Sequence, residues 1–306
     1  MSLPPTDPIR IDVLVQVGLP LANALIMLGV GMALAARDFR QVAARPRPLL
    51  AGLAGHYLLL PLLGFAVAAF FHDAYELAVG FVLIAACPSA SASNALTWLA
   101  RGNLALAVTL TAISSLLTLL TIPLLTGLAL QVFAGQAQAI ELPVARMMSQ
   151  LVVLVLLPVL AGMAVRHWLP TASRVLEPWL NRIGLALLLL LVAYIVIDQH
   201  QALLPWMARL SLAVTGMCMA ALVGGWLLGR LVRAEPRDAV TLGLEVGVQN
   251  CMLALLVAIN VLGSLRMGMP AVVYGVLMYV LAFGYVAAAR RSGAAVVPGA
   301  PIAREN

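Results

Sequence analysis

Residues 78–100 read AVGFVLIAACPSASASNALTWLA. An apolar run that could enter a bilayer is interrupted at its middle by Pro88, Ser89, Ser91, Ser93 and Asn94. Proline removes a backbone donor and clashes with the preceding turn. Serine and asparagine offer the backbone alternative hydrogen bonds. The segment therefore predicts a helix that unwinds at mid-span. A second run, residues 239–259, reads AVTLGLEVGVQNCMLALLVAI and carries Glu245, Gly247, Gln249 and Asn250 at its centre. Irregular backbone and polar groups at membrane depth survive only where they are buried in protein or line a cavity.

A membrane span needs about 20 mostly apolar residues. Working outward from the two interrupted runs gives nine candidate spans, roughly 11–35, 48–71, 76–100, 104–132, 143–166, 179–197, 206–229, 238–262 and 268–289. The interrupted spans are the third and the eighth, so they cross in opposite directions. Each is the penultimate span of its half. This is the pattern of an inverted repeat of five-helix units whose first helix is missing. The fold expected is an all-α polytopic membrane protein with two broken helices crossing at mid-membrane. Its first half would be residues 11–132, with the broken helix 76–100, and its second half residues 143–289, with the broken helix 238–262. Broken helices at matching places in two halves point to a transporter binding site. The plainer reading is two kinked helices with buried polar contacts.

Composition agrees. Of 306 residues, 63% are hydrophobic and 10% are charged, against about 25% charged in soluble domains. Soluble enzymes, disulfide scaffolds and nucleic-acid binders are excluded on that ground. The long continuous apolar runs also exclude a β-barrel, which alternates. Cys87, Cys218 and Cys251 lie within apolar runs and read as reduced packing residues. All eighteen basic residues are arginine, and fourteen fall on one set of alternate connections and the C-terminal tail. These include Arg37, Arg40, Arg45 and Arg47, then Arg101, then Arg166, Arg174 and Arg182, then Arg230, Arg233 and Arg237. Only Arg10, Arg146, Arg209 and Arg266 fall opposite. By the positive-inside rule the N-terminus is expected outside and the C-terminus in the cytoplasm. The basic charge thus orients the protein, and nucleic acid has no place in the reading.

Glu245 is the one acidic residue near a span centre. A charge there costs about 2.5–3.5 kcal/mol on insertion scales. With no basic residue at a neighbouring span centre, it must be protonated, with Asn94 as a candidate partner, or satisfied by a bound cation. Ser93, Asn94, Thr111 and the carbonyls beside Gly247 supply neutral oxygens, a set that suits a hard monovalent cation such as Na⁺. His56, at mid-span, is a packing residue or a neighbour of that ion. An arsenite-type transporter using Cys87 and an intramembrane hydrolase using Glu245 and His56 are the rival classes; no nucleophile or metal-spaced motif accompanies the hydrolase reading.

These segments resemble the bile acid:sodium symporter family in its nine-helix form. CPSASASNALTWLARGNLALAVTLT (87–111) and EVGVQNCMLA (245–254) are similar to its two broken-helix motifs, and LGVGMALAARDFRQV (28–42) to the close of an early helix. The resemblance implies panel and core domains that interleave both halves. It implies symport of one or two Na⁺ with an organic anion, a bile-acid-like compound or a small carboxylate, imported by alternating access. Protons in place of Na⁺ are the variant reading. One Na⁺ would sit at Ser93, Asn94, Thr111 and Glu245. A second would use Glu245, Gln249 and the carbonyls of Val246 and Val248, with His56 where members place a glutamine. Asn94 and Asn250 would face the substrate. Ala107 stands where many members have a serine, and small Ser and Ala residues replace a glycine pair after Pro88.

Overall fold

The computed structural model describes residues 13–33, 46–135, 144–198 and 200–291, and everything below concerns those residues. Arg10, Arg37, Arg40, Arg45 and Arg304 of the charge reading lie outside them. Helix α1 is Val13–Ala33. Helix α2 runs Pro46–Ala54, a π turn Gly55–Leu59, then Leu60–Ala69. Next come α3 (Tyr75–Ala86), α4 (Ala92–Leu99) and α5 (Leu104–Phe133). Helix α6 joins Val144–Leu151, a π turn Val152–Leu156 and Leu157–Trp168. Helices α7 (Pro170–Asp198) and α8 (His200–Leu231) follow. The chain closes with α9 (Pro236–Gly247), α10 (Cys251–Leu256, then a π turn Val257–Val261) and α11 (Leu265–Arg291).

Five helices are long and apolar enough to cross a membrane: Pro46–Ala69, Leu104–Phe133, Met147–Trp168, Leu204–Leu231 and Leu265–Arg291. Shorter apolar helices include Tyr75–Ala86 and Cys251–Val261. These two are short because the breaks after Ala86 and Gly247 divide them. Leu62, Leu124, Leu212 and Val280 are exposed on outward helix faces, where a bilayer replaces water as the solvent. The chain is a multi-pass helical membrane protein.

Two π turns have the same local cause. Pro61 and Pro158 lack a backbone N–H, and each ring would press on the carbonyl four residues earlier. One extra residue in the turn relieves that clash. At the second turn the carbonyl so freed is that of Leu154. It accepts a hydrogen bond from Asn23 Nδ2 on α1 at 2.8 Å.

The helices pack in two groups. Helix α1 lies against α6 and α7. Its Gly31 meets Gly162 of α6 so closely that a Cβ on either would strike the other helix's backbone. Small residues permit such approach between membrane helices. The second group is built on α8, which packs on α9 and α11, and on α3, which packs on α2, α5 and α11.

One polar clamp ties α5 to α9. Asn103 caps α5, its Oδ1 accepting from the Leu106 N–H at 3.2 Å. Its Nδ2 donates to Oδ1 of the buried Asp238 at 2.7 Å, and its backbone N–H donates to Thr241 Oγ1 at 2.8 Å. Asn103→Ala removes the cap and strips Asp238 of a partner. A loss of about 1–3 kcal/mol is expected. It should appear as a lowered melting temperature of the purified protein in detergent, and an unchanged one would show that the clamp carries no weight.

Candidate functional site

Helix α3 stops at Ala86 because Pro88 cannot continue it, and Cys87 is extended (φ −76°, ψ 158°). Helix α9 stops at Gly247, and Val248 is extended (φ −105°, ψ 95°). The two unwound segments meet in antiparallel register, with Ser89 opposite Gln249. The Ala90 N–H donates to the Val248 carbonyl at 2.9 Å, and the Asn250 N–H donates to the Pro88 carbonyl at 2.9 Å. Each break thus supplies the backbone partners that the other one lacks.

Glu245 sits one turn before this crossing and is fully buried, at 0% exposure. Its Oε1 accepts a hydrogen bond from Ser93 Oγ on α4. Its Oε2 accepts from Thr111 Oγ1 on α5 at 3.0 Å. Ser89 Oγ in turn donates to Ser93 Oγ at 2.9 Å. Three elements therefore converge on one carboxylate, and every described side-chain partner is a neutral hydroxyl. Such a shell presents oxygen atoms at short range without a compensating positive charge. All-oxygen sets of this kind suit hard cations.

The remaining residues singled out in the sequence are placed as follows. Asn94 Oδ1 is buried without a hydrogen-bond partner. Gln249 Nε2 donates to the Val246 carbonyl at 2.7 Å and to the Glu245 carbonyl at 3.4 Å, while its Oε1 is buried and unpartnered. The Val248 carbonyl accepts from the Ala90 N–H and from Ser89 Oγ at 3.4 Å. Asn250 Oδ1 caps α10, accepting from the Leu253 N–H at 3.1 Å. His56 lies in the π turn of α2, 2% exposed, with neither ring nitrogen bonded. Its neighbour Gly55 lies against Val246, so that turn packs on α9 beside Glu245. Cys87, Cys218 and Cys251 are buried free thiols.

A cavity of about 740 Å³ opens between the two helix groups. One wall comes from the crossing, α4 and α5, and includes Ser91, Ala92, Asn94 and Trp98. The opposite wall comes from α1, α6 and α7, and includes Arg166, Glu177, Asn181 and Arg182. Asn94 therefore faces this space, and Asn250 is not among its lining residues. Sequence reasoning passed over the second wall. Arg166 and Arg182 read there only as orienting charges. The i, i+4 pair Glu177 and Asn181 was the available signal, and the structure joins them by an Nδ2-to-Oε1 hydrogen bond of 2.8 Å.

The chain is similar to known proteins over most of its length. Residues 20–206 match the Sodium Bile acid symporter family. That match includes the first break and ends before the second, so the place of Glu245 rests on the contacts above. Among relatives, "Probable sodium/metabolite cotransporter BASS1, chloroplastic" from Arabidopsis thaliana is 31% identical over 82% of this chain and 61% of its own length. Its counterpart in Oryza sativa subsp. japonica is 30% identical over 82% and 60%. "Uncharacterized sodium-dependent transporter YocS" from Bacillus subtilis is 39% identical over 37% of this chain and 34% of its own. The chain thus spans about three fifths of the length of the plant relatives. With more than half of its residues matched, the chain belongs to the sodium bile acid symporter family.

Proposed function

We propose that the chain is a secondary transporter, not an enzyme, that uses the Na⁺ gradient to import an organic anion by alternating access. The observation that carries this reading is Glu245, buried at the crossing of two broken helices and bonded to Ser93 and Thr111. Na⁺ would bind there as cargo, neutralise the carboxylate, and use Asn94 as a further oxygen donor. The ion would tie α9 to α4 and α5. The anion would bind beside the crossing, in the cavity that Asn94 lines. Each ligand would then favour the other, since both need the same assembled crossing.

The architecture behind this reading is nine crossings in an inverted repeat, with 11–132 and 143–289 as the two halves. Helices α1, α6 and α7 would form the panel, and the remaining helices the core. The cavity lies at the end of the molecule that carries Arg101, Arg166 and Arg182. With the N-terminus outside and the C-terminus in the cytoplasm, that end faces inward. The form described here is then the inward-facing one. The names of the relatives, sodium/metabolite cotransporter and sodium-dependent transporter, support the coupling ion.

Of the two ion positions, the first is the better built. At the second, the Val246 carbonyl is taken by Gln249 Nε2, the Val248 carbonyl by Ala90 and Ser89, and His56 stands where a glutamine oxygen would be. We assign one Na⁺ per anion. Import of a monoanion is then electroneutral, whereas a second ion would add about 2.3 kcal/mol per 100 mV of driving force.

Glu245→Ala should abolish Na⁺-dependent uptake of the anion into proteoliposomes, a drop of at least about 100-fold, or about 2.8 kcal/mol. Uptake that persists in this variant with its Na⁺ dependence intact would refute the mechanism. For the wild type, initial rates against Na⁺ concentration should give a Hill coefficient near one, and an imposed membrane potential should leave them unchanged. A coefficient near two with voltage-dependent uptake would restore the second ion.

A further inference from the structure

The cavity between the helix groups carries an asymmetry that the ion site does not explain. Its charged side chains are all on the wall formed by α6 and α7. Arg182 lies over the Trp179 ring, 5.6 Å from its centroid, a cation–π contact that favours this position of the guanidinium. Arg166, on α6, acts electrostatically on Glu177. Glu177 is held by Asn181 at 2.8 Å. The facing wall, with Ser91 and Asn94, is neutral and otherwise apolar. Two buried acceptors, Asn94 Oδ1 and Asn181 Oδ1, have no partner and stand on opposite walls.

We propose that this cavity is charge-matched to one organic monoanion, with Arg182 and Arg166 as its recognition pair and Glu177 as the residue that rejects a second negative charge. Two guanidinium groups and one carboxylate leave a net charge of one positive. A ligand carboxylate cancels it. A dianion leaves one negative charge uncompensated beside the half-buried Glu177 and Arg166, where Coulomb energies exceed those in bulk water. The ligand body is apolar, since Ala92, Ala95, Trp98 and Val108 supply the surface it meets. The volume of about 740 Å³ admits an aromatic bicycle or larger. This inference rests on the proposed transport reading and narrows its substrate class.

The test uses the full chain in lipid nanodiscs and two probes of one skeleton, 2-naphthoate and naphthalene-2,6-dicarboxylate. Binding is read by calorimetry, in NaCl and in choline chloride. The wild type should bind the monocarboxylate at least about tenfold more tightly than the dicarboxylate, or about 1.4 kcal/mol. Glu177→Gln keeps the oxygen that Asn181 bonds, and should raise dicarboxylate affinity about tenfold, levelling or reversing the preference. Arg182→Gln should weaken the monocarboxylate about tenfold, and Arg182→Lys should retain it. The two positions read the charge balance from opposite sides, so a folding defect in one leaves the other decisive. No binding of either compound to the wild type, or the same preference in Glu177→Gln, overturns the proposal. Charge preference without Na⁺ dependence keeps it and refutes the coupling reading. Na⁺-dependent binding that ignores the charge balance refutes the proposal alone.

Discussion

Extended backbone in the middle of a bilayer has no water to bond with, and each orphaned group costs several kcal/mol. The structure meets this constraint in one place. Pro88 to Ala90 and Val248 to Asn250 pair with each other, two main-chain hydrogen bonds in antiparallel register. Neither break would be tolerable alone. Pairing fixes the depth at which α3 and α9 end, and so the depth of Glu245 and of the α4 and α10 starts. The cavity lies where it does because α4 begins beside the crossing.

Charge follows the same logic of placement. Glu245 has only hydroxyl donors among its described partners, where another buried carboxylate would have an arginine; on the proposed reading a cation would complete its shell. The arginines are kept out of the two interrupted runs, 78–100 and 239–259. Two of them, Arg166 and Arg182, reach the cavity from the wall opposite the crossing. On the proposed reading, an ion and an anion would meet groups on different helix bundles. Relative motion of the bundles would act on both at once.

Both breaks were legible in the sequence because their causes are local. A proline with four polar neighbours unwinds a helix wherever it sits, and the expected interruption at Pro88–Asn94 overlaps the observed gap between Ala86 and Ala92. The second break was also placed, since Gly247 and the polar Gln249–Asn250 pair interrupt an apolar run. The bonding inside the site was less legible. Asn94 was the sequence's candidate partner for Glu245, yet Ser93 and Thr111 make those bonds, because helix phase selects the face and residue type does not. Asn250 bonds the start of α10. The π turns were not foreseen; the signal for two of them was Pro61 and Pro158 within otherwise unbroken runs. The α6–α7 wall was unreadable for a further reason. An arginine near a span end looks the same whether it faces headgroups or a cavity, and the packing of α1 on both α6 and α7 decides which.

The two hydrogen bonds that bridge the breaks run between main-chain atoms, and amide hydrogen bonds do not depend on which side chain each residue carries. Ser91 and Ala92 can therefore change in kind while the bridge stays closed, whereas the buried Ser89 is tied by its hydroxyl to Ser93 and the Val248 carbonyl. Ser91 and Ala92 point their chemistry at the cavity while the peptide groups beside them keep the fold. Architecture and selectivity are written in different atoms of the same short segment. A substitution confined to Ser91 or Ala92 would alter the cavity lining and leave both hydrogen bonds of the bridge in place.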